Sequence, residues 1–133
     1  HGSTFGGNPL ASKIAVEAVK IIKDDKLLQN VQQIGELFRR ELVQYEGTFV
    51  KEVRGIGLFN AIEFHEEKHA HEFVKLCMKE GLLCKNTQAT SIRMCPPLTI
   101  TESQMNQSIL IIRSVLEHMK QKTLSPAVIL PFL

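Results

Sequence analysis

The sequence lacks the features that mark several large classes of protein. No apolar run approaches the roughly 20 residues that a membrane-spanning helix needs. Neither sign of charge dominates, because 16 basic and 14 acidic residues are interspersed and give a net charge of +2. We therefore expect no membrane partner and no nucleic-acid partner, since the latter requires a basic stripe or patch.

Cysteine is scarce and has no partner nearby in the sequence. The three cysteines are Cys77, Cys84 and Cys95, and none belongs to a CxxC pair. This spacing predicts neither a disulfide framework nor a metal site. We expect buried thiols in a reducing, intracellular compartment, which leaves both the mitochondrial matrix and the cytoplasm open.

What the chain does have is helical periodicity, within a length of 133 residues that suits one domain. The apolar spacing predicts four helices. Their ends are marked by capping and breaking residues: Asn8-Pro9 and Asp24-Asp25 for the first, Gly47 after the second, Gly81 after the third, and a capping box of Thr101 with Gln104 before the last.

Shorter segments between these helices alternate in the manner of β-strands. We predict strands at 49–53, 58–64, 82–84 and 91–94, with the first two joined through the glycines of residues 54–57. The order of elements indicates an α/β domain, of the α+β type, with a mostly antiparallel sheet and helices on one face. It occupies residues 25–120, after an interface loop and long connecting helix at 1–24. Residues 121–133 form a tail without helical or strand period.

The first eight residues form a glycine-rich loop that leads into a helix N-terminus. Ser3 and Thr4 supply hydroxyl groups there, and the glycines allow close approach of the backbone to a ligand. Such a loop is a natural phosphate-binding site. An ordinary glycine-rich turn with an Asn-Pro cap explains the same residues.

Arg93 lies within an apolar strand, next to Pro96-Pro97. Burying an arginine there without a partner would be costly. Its planar guanidinium matches a carboxylate in bidentate geometry, so a substrate carboxylate is one candidate partner. A structural salt bridge, or a side chain that reaches out to solvent, is the alternative.

Residues 65–69 match the H-E-x-x-H pattern of zinc metalloproteases, with His71 nearby. That mechanism needs both histidines on one stable helix. Because His65 directly follows a strand-like run and the segment has almost no apolar face, we predict a charged, solvated connection and no metal site.

Three segments together resemble the class III aminotransferases, within the fold-type-I pyridoxal-phosphate (PLP) enzymes. They are residues 1–11 (HGSTFGGNPLA), 53–63 (VRGIGLFNAIE) and 81–98 (GLLCKNTQATSIRMCPPL). Their order and spacing fit the family up to about Lys120. Within the class, the third segment is most similar to the ornithine aminotransferases, and the acetylornithine aminotransferases come next.

The resemblance implies the C-terminal small domain of such an enzyme, with PLP as cofactor and a homodimer as the assembly. It implies that Thr4, helped by Ser3, binds the cofactor phosphate, and that Arg93 binds the carboxylate of the amino acid or 2-oxo acid. The family reaction transfers the δ-amino group of ornithine to 2-oxoglutarate.

The Schiff-base lysine of the family precedes the His-Gly-Ser-Thr loop, so the resemblance assigns no catalytic residue to this chain. We therefore expect residues 1–133 to be inactive alone. A non-catalytic interaction module that retains the small-domain fold is the alternative.

Overall fold

The computed structural model describes residues 2–124. It contains four α-helices, a short 3₁₀ turn at Val43–Tyr45 and a four-stranded sheet. In chain order the elements are α1 (Pro9–Asp24), α2 (Leu27–Leu42), β1 (Val50–Ile56), β2 (Phe59–Phe64), α3 (Glu67–Lys79), β3 (Lys85–Asn86), β4 (Ser91–Met94) and α4 (Glu102–Leu124). None of the helices in this range is long and apolar enough to cross a membrane.

The sheet has the strand order β1-β2-β4-β3, and every neighbouring pair is antiparallel. Alternate side chains of β2, those of Asn60, Ile62 and Phe64, are buried under the helices. The side chains between them point to the other face of the sheet, which we call the open face. The predicted antiparallel α/β fold with helices on one face is confirmed.

The core lies between the sheet and helices α2, α3 and α4. Each of these helices has an apolar stripe at helical spacing, which packs against the sheet or a neighbouring helix. Burial of one large apolar side chain contributes about 1.5–3 kcal/mol, so these stripes hold the domain together. The largest fully buried side chains are those of Leu42, Val50, Ile62, Phe64, Phe73, Cys77, Ile92, Met105, Ile112 and Leu116.

Both predicted caps are confirmed. The Asn8 side chain accepts a hydrogen bond from the Ala11 amide at 2.9 Å, and proline follows at the first helical position. Thr101 and Gln104 form the capping box: the Gln104 amide donates to Thr101 Oγ1 at 3.2 Å, and the Thr101 amide donates to Gln104 Oε1 at 2.9 Å. These bonds satisfy amides that the first helical turn leaves free.

The prediction of a strand at 82–84 is wrong. Gly81 has φ +86°, and the Leu82 amide donates to the Cys77 carbonyl at 2.8 Å, which closes the C-terminus of α3. This is a Schellman cap, so the Leu82 amide is not available to a β-ladder. The strand begins three residues later, as β3.

The predicted connection at 54–57 is also wrong in extent, because only Gly57 and Leu58 lie between the paired residues Ile56 and Phe59. Gly57 has φ +56°, a conformation that a two-residue hairpin turn requires. Gly55 belongs to β1. A Cβ there would lie 2.5 Å from the Phe59 carbonyl oxygen, so this glycine serves a close approach within the strand pair.

Helix α2 contacts this hairpin turn through Gly35 and Arg39. A Cβ on Gly35 would lie 1.9 Å from the Gly57 carbonyl oxygen, so the backbones touch. Arg39 donates from Nη1 to the Gly57 carbonyl at 2.9 Å and to Asn60 Oδ1 at 2.7 Å. The buried Asn60 is thereby satisfied, and the start of β2 is fixed relative to the helix.

The three thiols differ in environment. Cys77 is buried, as predicted, but Cys84 is only half-buried and Cys95 is exposed, because it lies where β4 has ended and the chain turns into Pro96-Pro97. Folding also brings Cys77 against Cys84. The hydrogen bond between the two sulfurs, followed by burial, raises the pKa of Cys77 well above that of a free thiol.

The predicted division of the chain at 24/25 and 120/121 stays a prediction. Helix α1 ends at Asp24, and none of its residues is buried. Lys26 lies in the left-handed region at φ 53° and is the N-cap residue that directly precedes α2. Helix α4 continues past residue 120 to Leu124, and the rest of the predicted tail lies outside the described residues.

Candidate active site

The N-terminal loop forms a tight, exposed turn in front of α1. The Gly6 amide donates to the Ser3 carbonyl at 3.2 Å, and the Phe5 amide donates to Ser3 Oγ at the same distance. Gly7 takes φ +78°, and Asn8 Nδ2 closes the turn by donating to the Phe5 carbonyl at 2.8 Å. Hydrogen bonds within the loop itself therefore close this turn.

The hydroxyls of Ser3 and Thr4 face solvent in this turn. Ser3 Oγ accepts one bond and keeps its proton to donate, and Thr4 Oγ1 makes no hydrogen bond within residues 2–124. Both can therefore donate to an anion. Within the same range, no hydrogen bond or ion pair joins this loop to Arg93, so the two predicted site segments are not brought together by side-chain bonds of this chain alone.

Arg93 is exposed on the open face of the sheet, in the middle of β4. The proposed structural salt bridge is wrong for the part of the chain that the structure describes, since no carboxylate there pairs with Arg93. Instead its Cζ atom lies over the ring of Phe59, 5.3 Å from the ring centroid. The strand is apolar on its buried side only, which is why the arginine incurs no burial cost.

A cleft of about 490 Å³ opens beside Arg93 on the same face. Its lining includes the side chains of Arg54, Phe59, Thr87, Gln88, Ser91 and Arg93. The cleft thus combines a free guanidinium with hydroxyl and amide groups, which suits a small anionic ligand that has polar substituents.

An ion network on this face was not predicted from the sequence. Arg54 donates to Glu63 and, at 3.0 Å, to Glu52, and Lys51 donates to Glu63 at 2.8 Å. The hydrogen bonds from Lys51 and Arg54 hold the pKa of Glu63 below its ordinary range. Opposite charges at alternate positions of two paired strands were the available signal.

Residues 65–69 do not form a metalloprotease helix. Helix α3 begins at Glu67, so His65 lies outside it in the connection from β2, while His69 lies in the first turn. His69 packs against Phe49, with ring centroids 5.6 Å apart. Among the residues described, no group of three histidine, cysteine or acidic side chains is placed to hold a metal ion.

The profile of the aminotransferase class-III family matches residues 1–116. This chain belongs to the class III aminotransferases. An ornithine aminotransferase of Staphylococcus carnosus is 42% identical over 115 residues, which cover 86% of this chain and 28% of that protein. The chain therefore spans less than a third of the length of such a relative.

Solved class III aminotransferases share the fold. An ornithine aminotransferase of Toxoplasma gondii, in which PLP partially occupies the active site, aligns with a TM-score of 0.86 and 34% identity over 94% of this chain and 30% of that one. An acetylornithine aminotransferase of Elizabethkingia anophelis aligns with a TM-score of 0.79 and 36% identity over 89% of this chain and 32% of that one. The region described here is thus class III aminotransferase in both sequence and fold.

Proposed function

We propose that this region is the C-terminal small domain of a PLP-dependent transaminase that moves the δ-amino group of ornithine to a 2-oxo acid. One observation carries this proposal: the Arg93 guanidinium has no acidic partner within residues 2–124. It lies beside a polar cleft in a class III aminotransferase fold. Both substrates of such a reaction bear a carboxylate, for which this side chain is the fitting partner.

Arg93 binds and orients the substrate carboxylate in this proposal. Its five N–H donors form a rigid fork that accepts a planar carboxylate in one orientation. The binding energy then holds the reacting end of the substrate in a fixed place, which lowers the entropic cost of reaction. Thr87 and Gln88 lie along the same cleft and offer hydrogen bonds to the remaining polar atoms.

The N-terminal loop fits the phosphate of PLP. Ser3 and Thr4 have hydroxyl protons to donate, and the turn before α1 places them near a helix N-terminus, where an anion is stabilised. PLP supplies the electron sink that transamination needs. The same loop lies at the subunit interface in the proposed homodimer, where Ser3 and Thr4 contact cofactor held mainly by the partner subunit.

Acetylornithine is the alternative amino donor. The supporting observation is the acetylornithine aminotransferase that is 36% identical over 89% of this chain. Both donors present the same α-carboxylate, so the role of Arg93 is common to them. Comparing turnover of ornithine with turnover of N-acetylornithine by the full-length enzyme separates the two.

The proposal is tested by Arg93→Lys in the full-length enzyme that contains this region. Lysine keeps the charge but loses the bidentate geometry, so we expect KM for 2-oxoglutarate to rise about thirtyfold, the equivalent of roughly 2 kcal/mol. Arg113→Lys is the matched control, because Arg113 lies on α4 and pairs with Glu41 at 3.5 Å. Unchanged kinetics in the Arg93 variant would contradict the carboxylate role.

A further inference from the structure

Two arginines lie in one row on the open face, and only one of the two side chains is hydrogen-bonded. Arg54 and Arg93 both pair with Ala61, from opposite sides. Arg54 donates to Glu63 and to a second carboxylate on its own strand. The Arg93 side chain makes no hydrogen bond or ion pair within residues 2–124, so its guanidinium N–H donors are free for a ligand.

The diagonal neighbours of Arg93 on β2 explain why it stays free. Because Arg93 pairs with Ala61, the residues two positions away on the same face are Phe59 and Glu63. Glu63 would be a natural salt-bridge partner for Arg93. Its carboxylate oxygens already accept hydrogen bonds from Lys51 and Arg54. The remaining neighbour is Phe59, and its ring is the surface on which Arg93 rests.

The side chain of Phe59 contributes little to the hydrophobic core. Its side chain is 60% exposed, whereas Leu58 and Asn60 on either side are 2% exposed. The backbone beneath the ring is held firmly, since Asn60 is hydrogen-bonded to Arg39 of α2. Phe59 is therefore an exposed aromatic ring on a rigid support, and the Arg93 guanidinium lies over it.

A contact of this kind restrains an arginine without using its hydrogen-bond donors. The positive charge is attracted to the face of the ring, while the N–H groups at the guanidinium edge remain free. A free arginine side chain has considerable rotamer entropy, which a ligand must otherwise remove on binding. The contact with the Phe59 ring reduces this rotamer entropy before the ligand binds.

We propose that Phe59 is a positioning residue that holds the Arg93 guanidinium in the orientation that binds the substrate carboxylate. The inference rests on the proposed carboxylate role of Arg93 and deepens it. The ion network of Lys51, Arg54 and Glu63 contributes because it occupies the carboxylate that lies diagonal to Arg93 on β2.

The experiment uses Phe59→Leu in the full-length enzyme. Leucine keeps an apolar side chain but has no π face, so we expect KM for 2-oxoglutarate to rise about two- to fivefold, with little change in kcat. The dissociation constant of glutarate, an unreactive dicarboxylate, should rise by the same factor in calorimetry. Phe59→Tyr should restore both values. Leu110→Ala is the control, because Leu110 is similarly exposed, at 64%, on α4 and away from the open face.

The outcomes separate this inference from the proposed function. If Arg93→Lys raises KM and weakens glutarate but Phe59→Leu does neither, the positioning role is overturned and the carboxylate role stands. A Phe59→Tyr variant as weak as Phe59→Leu also overturns it, because the π face is then not the cause. If Arg93→Lys itself changes neither value, the proposed function fails and the inference fails with it.

Discussion

Arg54 and Arg93 show how the neighbours of a residue determine its role. Both arginines lie in the same row of the sheet, one on each side of Ala61, but Arg54 is half-buried and Arg93 is exposed. Arg54 is neutralised by acidic residues on β1 and β2, whereas Arg93 faces an aromatic ring. The ion network around Arg54 stabilises the sheet. Arg93 lies outside that network, so its guanidinium is free to bind an anion.

Glu63 is expected to make the stability of the domain depend on acidic pH. Its pKa is lowered in the folded state by Lys51 and Arg54, so its contribution is fully present above the unfolded pKa of about 4.3 and is lost as pH falls through the lower folded value. Glu63→Gln should therefore reduce the free energy of unfolding at pH 7 by about 0.5–1 kcal/mol, and this difference should shrink towards pH 3.

Urea denaturation of the chain at pH 7 and pH 3 measures this effect. Glu36→Gln serves as the control, because Glu36 is exposed on α2 and has no ion pair within the described residues. Equal losses for Glu63→Gln at the two pH values would show that the ionised carboxylate is not the stabilising group.

At the scale of elements, α1 differs from the other helices because its apolar side chains are left largely uncovered. It contacts α2 at one end but buries none of its residues, and Leu10 and Ile14 are 73% and 60% exposed. An amphipathic helix with an uncovered apolar face normally packs on another surface. In the proposed enzyme, the large domain and the partner subunit supply that surface.

We therefore expect residues 1–133 alone to self-associate through α1. Substituting Leu10 and Ile14 together by Glu should shift the chain to a monomer in sedimentation velocity, because charged side chains disfavour apolar association. Leu110→Glu, on the exposed side of α4, should leave the association unchanged. A wild-type chain that is already monomeric at micromolar concentration would contradict the expectation.

The elements also show which parts of the fold the sequence could predict. Helix ends were predictable because their signals are local: Asn8 with Pro9, and Thr101 with Gln104, cap within three residues. Strand bounds were not, because they depend on pairing. Gly55 is a strand residue only because β2 approaches it closely, and Leu82 lies outside the strand only because its amide closes α3.

At the scale of the whole molecule, the resemblance of three short segments was enough to predict the family. The family profile matches residues 1–116. The surroundings of Arg93 were not predictable in the same way. The contact with Phe59 spans 34 residues of sequence, and the neutralisation of Glu63 depends on a β1–β2 register that is shifted by a bulge. Such contacts follow from tertiary structure and have no local sequence signal.

The chain covers about 28% of the length of the Staphylococcus carnosus ornithine aminotransferase. The resemblance places the Schiff-base lysine in the part of the family that precedes His1. We expect residues 1–133 alone to form no covalent adduct between PLP and a single lysine, and to show no turnover of ornithine. Mass spectrometry after borohydride reduction tests the adduct. A stoichiometric adduct at one lysine, together with turnover of ornithine, would contradict the proposal that this region does not catalyse alone.

The open face has a consequence for how such a domain diversifies. Phe59, Gln88 and Arg93 are all exposed, and none belongs to the core that folds the chain. Substitutions at exposed positions outside the core usually change stability by less than about 0.5 kcal/mol. In the proposed enzyme, selection can therefore alter which carboxylic acids are recognised at these positions while the scaffold tolerates the change. A mutational library confined to the open face of the proposed enzyme is expected to change substrate preference and still yield mostly folded variants.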